Sequence, residues 1–176
     1  MTTFDAARIP GLLESLDEEL SARGITADVY LVGGAAMALS FDTARMTRDL
    51  DAVFAPTSSV REAAEAVAKK HDLPPDWLND AVKGFVPPTV DAHQWVAYES
   101  DHLRVCVAGL EHLLAMKIAA SRVEQDRADL ELLVSALGLS DVDQALDMAR
   151  ECLGVTYPIP ARAQYLLQEI FEGLVD

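Results

Sequence analysis

The spacing of apolar residues changes along the chain, and each change marks an element. From Pro10 to Ala22, Leu12, Leu13, Leu16 and Leu20 recur at the three-to-four-residue interval of a helix with one buried stripe, and Gly24 supplies a stop. Val29-Tyr30-Leu31-Val32 is a short apolar run ending in Gly33-Gly34, the pattern of a buried strand entering a tight turn. Ala35–Ser40 reads as a helix starting directly after the glycines. Leu50–Phe54 is a second strand, whose alternation places Asp49, Asp51 and Val53 on one face and Leu50 and Ala52 on the other. Ser58–His71 is an alanine-rich helix with Ser58 or Ser59 as N-cap. Pro74-Pro75 interrupts the chain, and Asp76–Val82 reads as a short helix before Pro87-Pro88. Trp95–Tyr98 and Leu103–Val107 are two further strands, joined as a hairpin through Glu99–His102.

Beyond Val107 the period is helical throughout. Leu110–Ser135 is one long stretch or two helices meeting near Gln125. Ser140–Cys152 is a helix capped by Ser140 or Asp141, Tyr157-Pro158-Ile159-Pro160 is a stiff linker, and Ala161–Leu174 is a final helix. The expected fold is α/β: a small mixed-sheet core over residues 1–108, followed by a helical part over 109–176 packed on it.

A chain of 176 residues fits one domain with a helical extension. Its 29 acidic and 14 basic residues give a net charge of −15. Such a surface repels polyanions unless basic residues cluster locally, which argues against a general nucleic-acid coat. It leaves room for an enzyme that grips one nucleic-acid end, provided that Arg45, Arg48, Lys83, Arg104 and Arg122 gather around one cleft. A merely solubilising acidic surface explains the charge equally well. Cys106 and Cys152 show no zinc-ligand spacing, and His71, His93, His102 and His112 show none either. No apolar run reaches the roughly 20 residues that span a bilayer, and the acidic, amphipathic N-terminal stretch is unlike a signal peptide. A cytoplasmic location without membrane association is expected.

The segment Leu31–Phe54 carries the chemistry. Gly33 and Gly34 let backbone approach a triphosphate without a side chain in the way, and the helix start behind them offers free N–H groups. Asp49 and Asp51 point the same way, and paired carboxylates with substrate phosphates are a common way to hold magnesium. A lone Gly-Gly is usually only a turn and a lone Asp-x-Asp usually a solvated strand face; the information lies in their order and spacing. Farther along, Lys117 stands among Leu113, Leu114, Ile118 and Val123, where an unpaired charge is costly. It needs a partner, either a phosphate or a salt bridge to Asp126 or Asp129. Arg122 faces the same alternatives, and Trp77 is either a base-stacking wall or a core residue.

These residues resemble the DNA polymerase beta-like nucleotidyltransferase superfamily, whose signature is a hydrophobic residue with Gly-Gly or Gly-Ser followed by an acid-hydrophobic-acid strand. Within it, Arg45-Met46-Thr47-Arg48-Asp49-Leu50-Asp51 is similar to the R-x-T-x-D-h-D element of the AbiEii/AbiGii toxin family and its small MenT-type relatives. Leu110–Leu133 is similar to that family's helical element, with Lys117, Arg122, Asp126 and Asp129 on the matching positions. The resemblance implies metal binding and catalysis by Asp49 and Asp51, catalytic roles for Lys117 and Asp126, and substrate contacts from Gly33, Gly34, Thr47, Arg48, Arg122 and Asp129. It implies transfer of a nucleoside monophosphate from an NTP to an acceptor hydroxyl with Mg2+. The acceptor would be a tRNA 3′ end, and the biological role that of a toxin with a cognate antitoxin. Nucleotidylation of a protein or small molecule, and nucleotide binding without transfer, are the alternatives. Two departures stand out: Gly34 occupies a position where many relatives have Ser, and Leu103–Val107 lacks the third carboxylate of the wider superfamily.

Overall fold

The strand alternation becomes a mixed five-stranded sheet in the computed structural model, which describes residues 3–41 and 45–175. The strands are β1 (Ala27–Leu31), β2 (Leu50–Ala55), β3 (Leu78–Asn79), β4 (Trp95–Glu99) and β5 (Leu103–Val107), in the order β3-β2-β1-β5-β4. β1 pairs antiparallel with β2 and parallel with β5; β2–β3 is parallel and β4–β5 antiparallel. The helices among the described residues are α1 (Ile9–Ala22), α2 (Gly33–Phe41), α3 (Thr57–His71), α4 (Leu110–Ala120), α5 (Val123–Ala136), α6 (Val142–Leu153) and α7 (Ala161–Val175). The chain divides into two units, Met1–Gly84 with Gln94–Ala108, and Phe85–His93 with Gly109–Asp176.

In the first unit the sheet has one buried and one open face. Val29, Leu31, Ala52, Phe54, Leu103, Val105 and Val107 are buried, and α1 and α3 pack on each other and on the sheet. The alternate positions Asp28, Tyr30, Asp51, Val53, Arg104 and Cys106 are half-buried or exposed. Burying each large aliphatic or aromatic side chain here is worth about 1.5–3 kcal/mol, so this alternation fixes which face the acids occupy.

Several local expectations need correction. Asp76–Val82 does not form one helix: Leu78–Asn79 adds β3 to the sheet and a single 3-10 turn follows at Ala81–Gly84. The Trp77 carbonyl accepts from Leu50 N at 2.7 Å, and the fully buried Trp77 indole donates to Ala64 O at 2.9 Å, so Trp77 is a core anchor and not a stacking wall. Neither Ser58 nor Ser59 caps α3; Pro56 holds the cap position and the Thr57 hydroxyl donates to Phe54 O at 3.2 Å. The long helical stretch breaks at Ser121-Arg122, ahead of Gln125, because Ser121 adopts a left-handed backbone (φ +49°) that ends α4.

The second unit is helical: α4 packs on α5 and α6, and α7 on α5 and α6. Leu113, Leu114, Ile118, Leu130, Leu133, Leu146, Leu166 and Ile170 are buried in it. Asp141 caps α6 by accepting from Gln144 N at 2.9 Å. Segment 85–93 is tied in by polar contacts: Asp91 accepts from Gly109 N at 2.8 Å, and the Thr89 hydroxyl donates to Cys152 O at 3.0 Å. Among the described residues no helix is long and apolar enough to cross a membrane.

Candidate active site

The turn after β1 is shaped by what lies against it. Val32 N donates to Asp51 O at 2.9 Å, fastening the end of β1 to β2. Gly33 then takes a left-handed backbone (φ +62°), and a Cβ on it would stand 3.0 Å from Asp51 Oδ2. A Cβ on Gly34 would stand 2.7 Å from Thr47 Oγ1 and 3.2 Å from Thr47 Cβ. The two glycines are thus the places where backbone and the side chains of Asp51 and Thr47 approach most closely. Thr47 is held there by a two-bond bridge to the buried Phe4 (2.7 and 2.8 Å), and its hydroxyl donates to Asp49 O at 2.9 Å. With Thr47 filling this space, a larger residue at Gly34 has no room.

Asp49 lies in a bend one residue before β2, not within the strand as the alternation suggested, while Asp51 is in β2. Both are half-buried. Desolvation raises the Asp49 pKa above the usual carboxylate range, and the Asp51 charge raises it further. A hydrogen bond from Asn79 Nδ2 to Asp49 Oδ2 (3.2 Å) opposes the rise, Asp76 adds to it, and Arg48 opposes it. Two carboxylates that repel each other beside a glycine turn are a donor set suited to a hard cation, which offsets that repulsion. Asp49 and Asp51 would be the residues to hold it.

Asn79 and Asp76 belong to this group by position, and neither the apolar period nor the family motif singled them out for it. Asn79 sits opposite Asp51 in the β2–β3 pair. A parallel pairing only two residues long has no sequence period to announce it. On β5, Arg104 and Cys106 align with Asp28 and Tyr30, so that strand offers a cation and a thiol and no carboxylate.

Lys117, Arg122, Asp126 and Asp129 lie together in the helical unit. The Lys117 ammonium lies 2.7 Å from both Asp126 Oδ1 and Asp129 Oδ2, with side-chain exposures of 8%, 1% and 0%. Asp126 Oδ2 also accepts from Arg122 N at 3.0 Å, and the exposed Arg122 guanidinium reaches it at 3.4 Å. The partner that Lys117 requires is therefore present within its own unit. Two carboxylates around one ammonium leave the core of the cluster formally negative, and Arg122 is the neighbouring cation. Val123, placed in the apolar stripe from its spacing, has a side chain outside the described residues.

A mixed sheet carrying a glycine turn against a carboxylate of the neighbouring strand has the layout of a nucleotidyltransferase core. The chain belongs to the family described as nucleotidyltransferase of unknown function (DUF6036), whose model matches residues 11–165. No curated protein and no solved structure matches it. The match covers both the Gly33–Asp51 segment and the Lys117–Asp129 helices.

Proposed function

We propose that this nucleotidyltransferase moves a nucleoside monophosphate from an NTP to an acceptor hydroxyl, releasing pyrophosphate, with Mg2+ held by Asp49 and Asp51. The observation that carries the reading is the contact between turn and acid: Gly33 lies so close to Asp51 that a Cβ would sit 3.0 Å from its carboxylate oxygen. Backbone stripped of side chains can admit a triphosphate beside those acids, and the N–H groups at the start of α2 point to its phosphates. A divalent ion held by Asp49 and Asp51 would supply charge neutralisation for the transferring phosphate. Thr47 fixes the Asp49 backbone, Asn79 orients the Asp49 carboxylate, and Arg48 offsets part of the negative charge. For Lys117, Asp126, Arg122 and Asp129 we propose a supporting role, with Asp126 and Asp129 holding the Lys117 ammonium.

The likeness of Arg45–Asp51 and Leu110–Leu133 to the AbiEii/AbiGii and MenT-type toxins supports a tRNA 3′ end as acceptor and a cognate antitoxin as partner. A second reading, nucleotide binding without transfer, is favoured by the residues of β5, which include no carboxylate. The two readings separate on incubation with each NTP, Mg2+ and either total tRNA or cell lysate. Pyrophosphate release with labelling of a discrete acceptor supports transfer. Saturable NTP binding with no pyrophosphate release supports the second reading.

A further inference from the structure

β3 is only two residues long, yet it brings an amide beside both acids of the proposed metal site. Asn79 stands opposite Asp51 in the β2–β3 register, and its Nδ2 donates to Asp49 Oδ2 at 3.2 Å. The other end of that amide fixes its orientation. Ala81 N can only donate, and it lies 3.1 Å from Asn79 Oδ1, so the amide oxygen faces the 3-10 turn and the nitrogen faces Asp49. The same nitrogen makes a longer contact with Asp76 O, at 3.4 Å. The turn is itself anchored. Lys83 N donates to Asp80 O at 3.0 Å, and Arg61 on α3 reaches both Asp80 carboxylate oxygens, at 2.7 and 2.8 Å. Rotating the amide to present its oxygen to the acids would sacrifice the Ala81 bond. Asn79 thus occupies one Asp49 oxygen and offers no oxygen in exchange. Among the described residues no three His, Cys, Asp or Glu side chains come together as a group able to hold a metal ion.

We infer that Asn79 sets the metal affinity of this site: it keeps the protein alone a weak holder of divalent ions, so that their retention depends on a bound triphosphate. The inference rests on the transferase reading and adds the control of its metal site. Mg2+ takes about six oxygen ligands, and the affinity of such sites rises with the number of charged ligands. Asp49 and Asp51 beside a neutral amide fall short of that set, and phosphate oxygens are what can complete it. An Asp at position 79 has the shape of the Asn it replaces. One of its oxygens would still accept from Ala81 N, and the other would stand beside Asp49 where Nδ2 now stands. Without a cation the three acids would repel one another, and with one they would share it. Asn79 is therefore a positioning residue whose neutrality the site uses.

The test is Mn2+ binding in the absence of nucleotide, read from loss of the free-ion electron paramagnetic resonance signal. Mn2+ takes the same carboxylate and water ligands as Mg2+. Wild type is compared with Asn79→Asp and with Asn79→Asp/Asp51→Asn, and each is also melted with and without Mn2+. We expect Asn79→Asp to bind Mn2+ at least about tenfold more tightly than wild type. It should melt below wild type without metal and gain more than wild type when Mn2+ is added, because an ion bound only by the folded chain stabilises it. Adding Asp51→Asn should remove the gain in affinity. A purely structural Asn79 predicts instead a loss of stability that Mn2+ does not restore. Equal Mn2+ affinity in wild type and Asn79→Asp, a gain that survives Asp51→Asn, or an Asn79→Asp chain that stays unfolded in Mn2+ would each overturn the assignment. A separate titration of wild type with a nonhydrolysable NTP, with and without Mn2+, distinguishes the failures. Mn2+-dependent NTP binding with no gain in Asn79→Asp removes the Asn79 assignment alone. NTP binding that is absent, or indifferent to Mn2+, removes the transferase reading on which it rests.

Discussion

Replacing Lys117 by Met tests whether the cluster in the helical unit is a structural device. The change keeps the length and most of the volume of the side chain and removes its charge. Asp126 and Asp129, at 1% and 0% side-chain exposure, would then lie buried without the ammonium that sits 2.7 Å from each. Breaking a buried ion pair by removing one partner costs about 3–5 kcal/mol. Set against a typical total stability of about 5–15 kcal/mol, that is a large fraction. The assay is equilibrium urea unfolding followed by circular dichroism, repeated on the triple variant Lys117→Met/Asp126→Asn/Asp129→Asn. Removing all three charges together abolishes the unpaired burial. The amide oxygen that replaces the Asp126 carboxylate can still accept from Arg122 N, so most of the loss should return. A Lys117→Met protein less than about 1 kcal/mol below wild type would refute the reasoning, because it would mean that the carboxylates are solvated.

Asp49→Asn should raise stability at neutral pH, because burial and the Asp51 charge penalise ionised Asp49. Its folded pKa is raised above the unfolded value, so the folded wild type binds the proton more tightly. The penalty is complete above the folded pKa and vanishes below the unfolded one, so the stability gain of Asp49→Asn should fade on acidification in unfolding curves taken between about pH 7 and pH 3. Gly34→Ala should destabilise by about 1–3 kcal/mol by overpacking against Thr47, with part of the loss recovered by Thr47→Ala in the same background, as read by thermal unfolding. Cys152 is buried and its thiol is pushed up to about 11, so iodoacetamide at about pH 8 should leave it unmodified in the native protein while alkylating the more accessible Cys106, a pattern that peptide mass spectrometry will resolve.

What the sequence made legible follows from the range of each signal. The strand at Leu50–Phe54 was readable because one-face burial imposes a two-residue period, and the one at Val29–Val32 because a short apolar run ends in two glycines. The α1 and α7 helices were readable from the 3.6-residue period. The Gly33-Gly34 turn and Asp51 could be paired because they lie on consecutive strands joined by one short helix. β3 could not be foreseen: two residues carry no period, and Asp76–Val82 resembles a helix locally until pairing of Leu50 N with the Trp77 carbonyl claims it for the sheet. The placement of Asn79 beside Asp49 depends on register between strands, which only the folded chain expresses. Lys117 was legible as a residue that needs a partner, since burial of a charge demands one. Which anion would meet it was decided by the break at Ser121, a single left-handed residue within a continuous helical pattern.

The central claim is that Asp49 and Asp51 direct transfer of the nucleotidyl group itself. The most direct measurement uses each NTP labelled on either the α- or the γ-phosphate, with Mg2+ and total tRNA, for wild type and for folded Asp51→Asn. The account predicts that α-label, and not γ-label, becomes attached to RNA, with release of pyrophosphate, and that Asp51→Asn abolishes this. Transfer of γ-label, or undiminished α-label transfer by Asp51→Asn, would contradict it.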